Sequence, residues 1–213
     1  MNNRVLDPID RNSEILFGLF MVLSFTGALS VTSTGQKEVR EMFVSAIGCN
    51  LAWGFVDGVM YILRNIVARA RQARLWRTVI SAPRPESAHE LIVQEIGPLS
   101  GALGAPEFER TRQWMVAQPE NVAPAAVVTG RDLIGGLGVF LLVFASTFPP
   151  VLPFLFFGNL RTAMRVSAAV AIVIMFLCGY EWGRFAGLRP LRAGLVMVVL
   201  GVGIEAVIIA LGG

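Results

Sequence analysis

The sequence predicts an all-α integral membrane protein: five transmembrane helices, with a small helical cytoplasmic insertion between helices 2 and 3. Composition is the first ground. Of 213 residues, 54% are hydrophobic and only 15% charged, and the mean hydropathy is +0.64, which no ordinary soluble domain reaches. The second ground is length. Five runs, 15–36, 42–63, 133–160, 166–188 and 193–213, approach or exceed the roughly 20 apolar residues that cross a hydrocarbon core. Lipid offers no partner to unpaired backbone groups, so such runs must be helices. The expected organisation is therefore 1–63 for transmembrane helices 1 and 2, 64–131 for the insertion and 132–213 for helices 3 to 5.

The first fourteen residues carry Asp7, Asp10 and Glu14 against Arg4 and Arg11 and lack the short apolar core and small-residue cleavage site of a removable signal peptide. Basic residues set the orientation. One side of the five spans holds Arg4, Arg11, the nine arginines of 64–131, Arg184, Arg189 and Arg192, fourteen of the eighteen Lys and Arg. The other holds Lys37, Arg40, Arg161 and Arg165. The positive-inside rule then places the N-terminus in the cytoplasm and the C-terminus outside. The compact chain, with no targeting segment, suits a bacterial inner membrane. A pI of about 9.4 reflects the same bias and fits anionic membrane lipid, whereas no nucleic-acid module is recognisable.

After the second span, arginines alternate with apolar residues at helical spacing through Arg77, predicting that the helix continues into the cytoplasm or bends along the membrane surface. Pro83 and Pro85 interrupt it. Short helices follow over 86–96, stopped by Gly97 and Pro98, and over 106–118. In the third span Pro149, Pro150 and Pro153 remove three backbone donors and must bend or unwind the helix. Such a break either offers carbonyls to a cation or only shapes packing. Gly54 with Gly58, and Gly179 with Gly183 and Gly187, have the spacing that permits close helix contact, between protomers or within one. Cys49 and Cys178 lie at different depths and read as small buried hydrophobes.

Asp57 stands out because it is the only charge in the run 42–63. A carboxylate at membrane depth costs roughly 2.5 to 3.5 kcal/mol even on the lenient insertion scale, so it marks an ion or proton site or has a structural partner. On a helix it shares a stripe with Asn50, seven residues before, and with Met60, three after. Carboxylate and amide suit hard divalent ions, and a thioether biases the set towards softer transition metals. Glu205, in the last span, is a second carboxylate at membrane depth without a charged neighbour in sequence. Glu181 has one, Arg184, for a local ion pair. In the insertion, Glu86, His89 and Glu90 fall on one helical face, a spacing that suits a divalent ion or a solvated surface equally. Glu14 and Asp132 stand at expected helix starts, where an acid complements the macrodipole. No Walker, HExxH or GxSxG pattern occurs, and no enzyme chemistry is expected.

These features together, namely five spans, the insertion between spans two and three, the Gly-rich second span with Asp57 and Met60, the proline-rich end of span three and the closing stretch from Gly187 to Gly213, resemble the vacuolar iron transporter family (VIT/CCC type), of which this would be a divergent member. The resemblance implies a homodimer of five-helix protomers with the pathway between the copies. It also implies export of ferrous iron or a related metal from the cytoplasm against protons, an antiporter that needs no bound cofactor. Family members carry an acid inside span one, and 15–36 has none. Their repeated Glu pairs in the insertion are reduced here to Glu86, His89 and Glu90, with Met115 after Glu107 and Glu109.

The expected function is thus a proton-coupled transporter of Fe2+ or Mn2+, its partners being metal ions, protons, membrane lipid and a second copy of the chain. Asp57, Met60, Asn50, Glu205, Glu86, His89 and Glu90 are its candidate metal ligands. The alternative is a membrane scaffold or regulatory protein that keeps the fold without transporting.

Overall fold

The computed structural model describes residues 6, 8–29, 36–119 and 125–210, and these are predominantly helical, without strands. Four stretches have the length and hydropathy of a membrane span: Ile47–Ile80, Gly130–Phe156, Leu160–Phe185 and Pro190–Val207. The first expected span, 15–36, falls on helix α1 (Pro8–Leu29) and on 30–35, which lie outside the described residues. α1 begins seven residues earlier than its hydropathy suggests, because Pro8 is preorganised for a first turn and Asp10 complements the dipole there.

α2 runs unbroken over Gln36–Ile80, 45 residues, more than twice what a bilayer needs. Contacts divide the chain into two compact units, Met1–Tyr61 with Leu133–Gly213, and Ile62–Asp132, and the division falls within α2.

In the first unit α5 (Gly130–Ser146) is followed by two single turns, α6 (Phe148–Val151) and α7 (Pro153–Phe156). The prolines break the helix where expected. The hydroxyls of Ser146 and Thr147 donate to the carbonyls of Val143 and Phe144, at 2.7 and 2.6 Å, so these two carbonyls are satisfied locally. α6 and α7 lie on α8 (Leu160–Phe185), where Val151 and Phe154 meet Val22 and Ala163. The Asn159 side chain caps α8 by accepting from the Thr162 N–H at 3.2 Å.

Between apolar helices in lipid there is little hydrophobic driving force, and small residues that admit close van der Waals contact take its place. α8 buries Ala163, Ser167, Ala171, Met175 and Cys178 at spacings of four and three. The last three of these pack on Leu16, Leu19 and Leu23 of α1. Both glycine pairs are used inside the protomer. A Cβ at Gly54 would meet the Phe140 carbonyl oxygen at 3.0 Å, and one at Gly58 the Gly136 carbonyl oxygen at 2.7 Å, which seats α2 on α5. Gly179 and Gly183 likewise seat α8 on α9 (Pro190–Ala210), against Ala193, Gly194 and Pro190. These glycine faces are therefore occupied within one chain. A contact between two copies would use other surfaces.

The second unit folds α3 (Pro85–Ile96), a 3-10 turn over Gly97–Ala102 and α4 (Ala105–Ala117) against the end of α2. Gly97, with φ of 66°, turns the chain out of α3. Val79, Ala88, Ile92, Phe108 and Met115 form the core, each apolar side chain larger than alanine contributing about 1.5 to 3 kcal/mol on burial from water. Met115 is buried there rather than offered to an ion.

Candidate metal-ion site

The face of α2 that carries Asn50, Gly54, Asp57, Gly58 and Tyr61 turns towards α5, as the contacts of Gly54 and Gly58 with Phe140 and Gly136 and of Tyr61 with Gly135 require. Asn50 is 2% exposed. Its Oδ1 and the Oδ2 of Asp57 are both buried without a hydrogen-bond partner among the described residues. An acceptor so placed has lost water and gained no donor, which costs free energy unless a cation, a proton or water fills the gap. Seven residues place the two Cα atoms about 10 Å apart along the helix.

Met60 departs from this face. It is 56% exposed, on the side of α2 that carries Phe55, Val56 and Val59, and in one protomer it does not join Asn50 and Asp57. Glu205, on α9, has its Oε2 buried without a partner among the described residues, one turn beyond Gly201, which packs on Met175 of α8. Among the described residues no three His, Cys, Asp or Glu side chains gather closely enough to hold a metal ion.

Sequence reasoning placed Glu14 only at a helix start, because the apolar run begins after it. It is the seventh residue of α1, half-buried. α2 runs antiparallel to α5 (Gly54 to Phe140, Gly58 to Gly136), whereas α1 runs parallel to α5 (Leu6 to Gly138, Gly18 to Val143 and Ser146). α1 and α2 are therefore antiparallel, and their register is fixed where the Phe17 and Trp53 rings meet edge-on at 5.9 Å. Three residues back from Phe17 is Glu14 and four residues on from Trp53 is Asp57, so the two carboxylates stand at nearly one level. The first helix thus carries an acid after all.

Asp132 is more than the helix-start acid expected. Its carboxylate accepts from Thr129, N–H at 2.8 Å and hydroxyl at 2.7 Å, in a capping arrangement. It also accepts from both terminal nitrogens of Arg69, at 3.0 and 2.7 Å. Arg69 further donates to the Val127 carbonyl at 2.8 Å.

In the insertion, Glu86, His89 and Glu90 share α3, but the His89 ring turns to Glu109 of α4, with Nε2 3.0 Å from Oε2, while Glu86 and Glu90 remain exposed. Glu109 also accepts from Arg112 at 2.7 and 2.9 Å and from Gln113 at 2.9 Å. Arg112 above all, then His89 and Gln113, hold its carboxyl down to about 2. Glu181 and Arg184 form the expected local pair at 2.9 Å.

No curated protein matches the chain. A family model described as the VIT family matches residues 107–213, half of the chain, from α4 through α9. Asp57 and Glu14 precede the matched range, and Glu205 lies within it. Apolar helices of spanning length and this match together describe a multi-pass membrane protein of a family of metal-ion transporters rather than enzymes, and the chain belongs to the VIT family.

Proposed function

We propose that the protein exports a divalent transition metal, ferrous iron or manganese, from the cytoplasm in exchange for protons, with Asp57 as the carboxylate that takes the ion in the membrane. The observation that carries this reading is the pair of buried acceptors without donors among the described residues, Asp57 Oδ2 and Asn50 Oδ1, along one face of α2. A cation satisfies such an acceptor, and a proton on Asp57 neutralises its carboxylate when the ion has left, which is the chemistry of exchange. Glu14, level with Asp57, supplies a second carboxylate, and Glu205 a further station on α9.

One protomer gathers no three-ligand cluster among the described residues. The reading therefore includes a homodimer in which the exposed face of α2, with Met60, meets a second copy, and five spans with α1 as the first. The arginines at the N-terminus, in the insertion and at the α8–α9 turn support a cytoplasmic N-terminus and an external C-terminus, in a bacterial inner membrane. The same lack of a three-ligand cluster would suit a scaffold that keeps the fold without moving metal.

Reconstituted protein should admit Fe2+ or Mn2+ to liposomes loaded with a metal-quenched fluorophore, faster with a pH gradient than without, and should move protons in the opposite sense. Silence towards Fe2+, Mn2+ and Co2+ under both conditions would favour the scaffold.

A further inference from the structure

At the turn between α8 and α9 an apolar groove of 380 Å³ opens between Trp182, Phe185, Leu188, Val196 and Met197, with Ile9 of α1 at its edge. Three features at this place point to one kind of occupant.

The groove is walled by carbon. Trp182 stands one turn inside the end of α8, the depth at which tryptophan meets the ester region of a bilayer.

The turn itself is rigidly built. Gly187 takes φ of 69°, Leu188 N–H donates to Gly183 at 2.9 Å and Gly187 N–H to Arg184 at 3.4 Å, the paired bonds of a Schellman ending. This fixes Leu188 at the groove and sends Arg189 to the start of α9.

The third feature is charge. Arg184 is paired with Glu181 at 2.9 Å, but Arg189 and Arg192 are exposed and have no carboxylate partner among the described residues. They stand three residues apart, hence on one face, and each adjoins a residue of the groove, Leu188 and Ala193. Pro190 opens α9 between them, and the first amides of a helix favour an anion as well.

We propose that this groove binds one anionic glycerophospholipid of the leaflet that the turn faces. Its acyl chain lies along α8 and α9, and its phosphate sits between Arg189 and Arg192. The ligand is a component of the bilayer, independent of the metal path along α2, so this site and the transport reading stand or fall separately.

Native mass spectrometry of the purified protein, titrated with phosphatidylglycerol or phosphatidylcholine, tests it. Phosphatidylglycerol should be retained preferentially, and Arg189→Gln with Arg192→Gln should weaken that retention about thirtyfold, at roughly 1 kcal/mol per arginine near an anionic headgroup. Arg161→Gln, at the other end of α8, should leave it unchanged. Val196→Trp should block the groove and displace the lipid while both arginines remain. Equal retention of phosphatidylcholine, full retention by the double arginine variant, or displacement by inorganic phosphate at millimolar concentration would overturn the proposal. So would a Val196→Trp protein that keeps its lipid and loses a dimer, for then a second copy fills the groove.

Discussion

Asp132 at the start of α5 holds Arg69 of α2 through two hydrogen bonds, 2.7 and 3.0 Å, across 63 positions of sequence. The carboxylate is 5% exposed and the guanidinium 24%, and the same carboxylate caps its own helix through Thr129. Removing either charge strands the other in a largely dry place. Asp132→Ala and Arg69→Ala should each lower the thermal stability of the detergent-solubilised protein. The double variant should lose clearly less than the sum, because the second substitution removes a charge already stranded. Additive losses in a double-mutant cycle would show the pair to be energetically idle.

Gly58 and Gly48 make a paired test on one helix. A methyl group on Gly58 would lie 2.7 Å from the Gly136 carbonyl oxygen, whereas at Gly48 nothing lies within 4 Å. Gly58→Ala should therefore destabilise by about 1 to 3 kcal/mol, since backbone must shift. Gly48→Ala should be neutral or stabilising by up to about 1 kcal/mol through its helix propensity. Equal melting shifts for the two would contradict the close approach of α2 and α5.

Ser167 is fully buried on α8, and its hydroxyl has no partner among the described residues. Ser167→Ala removes a desolvated polar atom and leaves the shape, so it should be neutral or slightly stabilising in a melt. A marked loss of stability would mean that the hydroxyl holds water or an ion.

Glu109 ties α3 to α4, and its carboxyl is held down at about 2, well below the ordinary carboxylate range, because Arg112, His89 and Gln113 bond its charged form. A depressed carboxylate contributes stability that is complete above its unfolded value and is lost as pH falls towards the folded one. Between pH 4.5 and 2 the insertion should loosen in the native protein, and Glu109→Gln should flatten that part of the pH profile while lowering stability at neutral pH. The edge-on contact of Trp76 and Trp114 at 5.7 Å gives a fluorescence readout. An unchanged acid profile in the variant would remove Glu109 as its source.

Local signals carried much of the fold. Proline and glycine delimited α3 within one residue, expected at 86–96 and observed at Pro85–Ile96, and α4 came as close, 106–118 against Ala105–Ala117. The proline break after α5 was legible for the same reason: a missing N–H acts where it stands. What escaped was whatever depends on distant chain. Hydropathy does not register the polar first two turns of α1, so Glu14 was read as standing at the start of a helix in which it is the seventh residue. Helical spacing put Met60 on a stripe with Asn50 and Asp57, but only packing on α5 tells which side of α2 is buried. His89 was grouped with its neighbours on α3, while its hydrogen-bond partner lies 20 positions away on α4.

The central claim is that Asp57 is the membrane carboxylate that takes the metal. It is tested most directly by metal entry into liposomes that carry equal amounts of native, Asp57→Asn and Glu205→Gln protein, with helicity checked by circular dichroism. The account predicts that Asp57→Asn keeps its helicity and loses at least about 90% of the flux, roughly 1.4 kcal/mol or more of the interaction, while Glu205→Gln retains a measurable part. Native flux of Fe2+ and Mn2+ through the Asp57→Asn protein would contradict it.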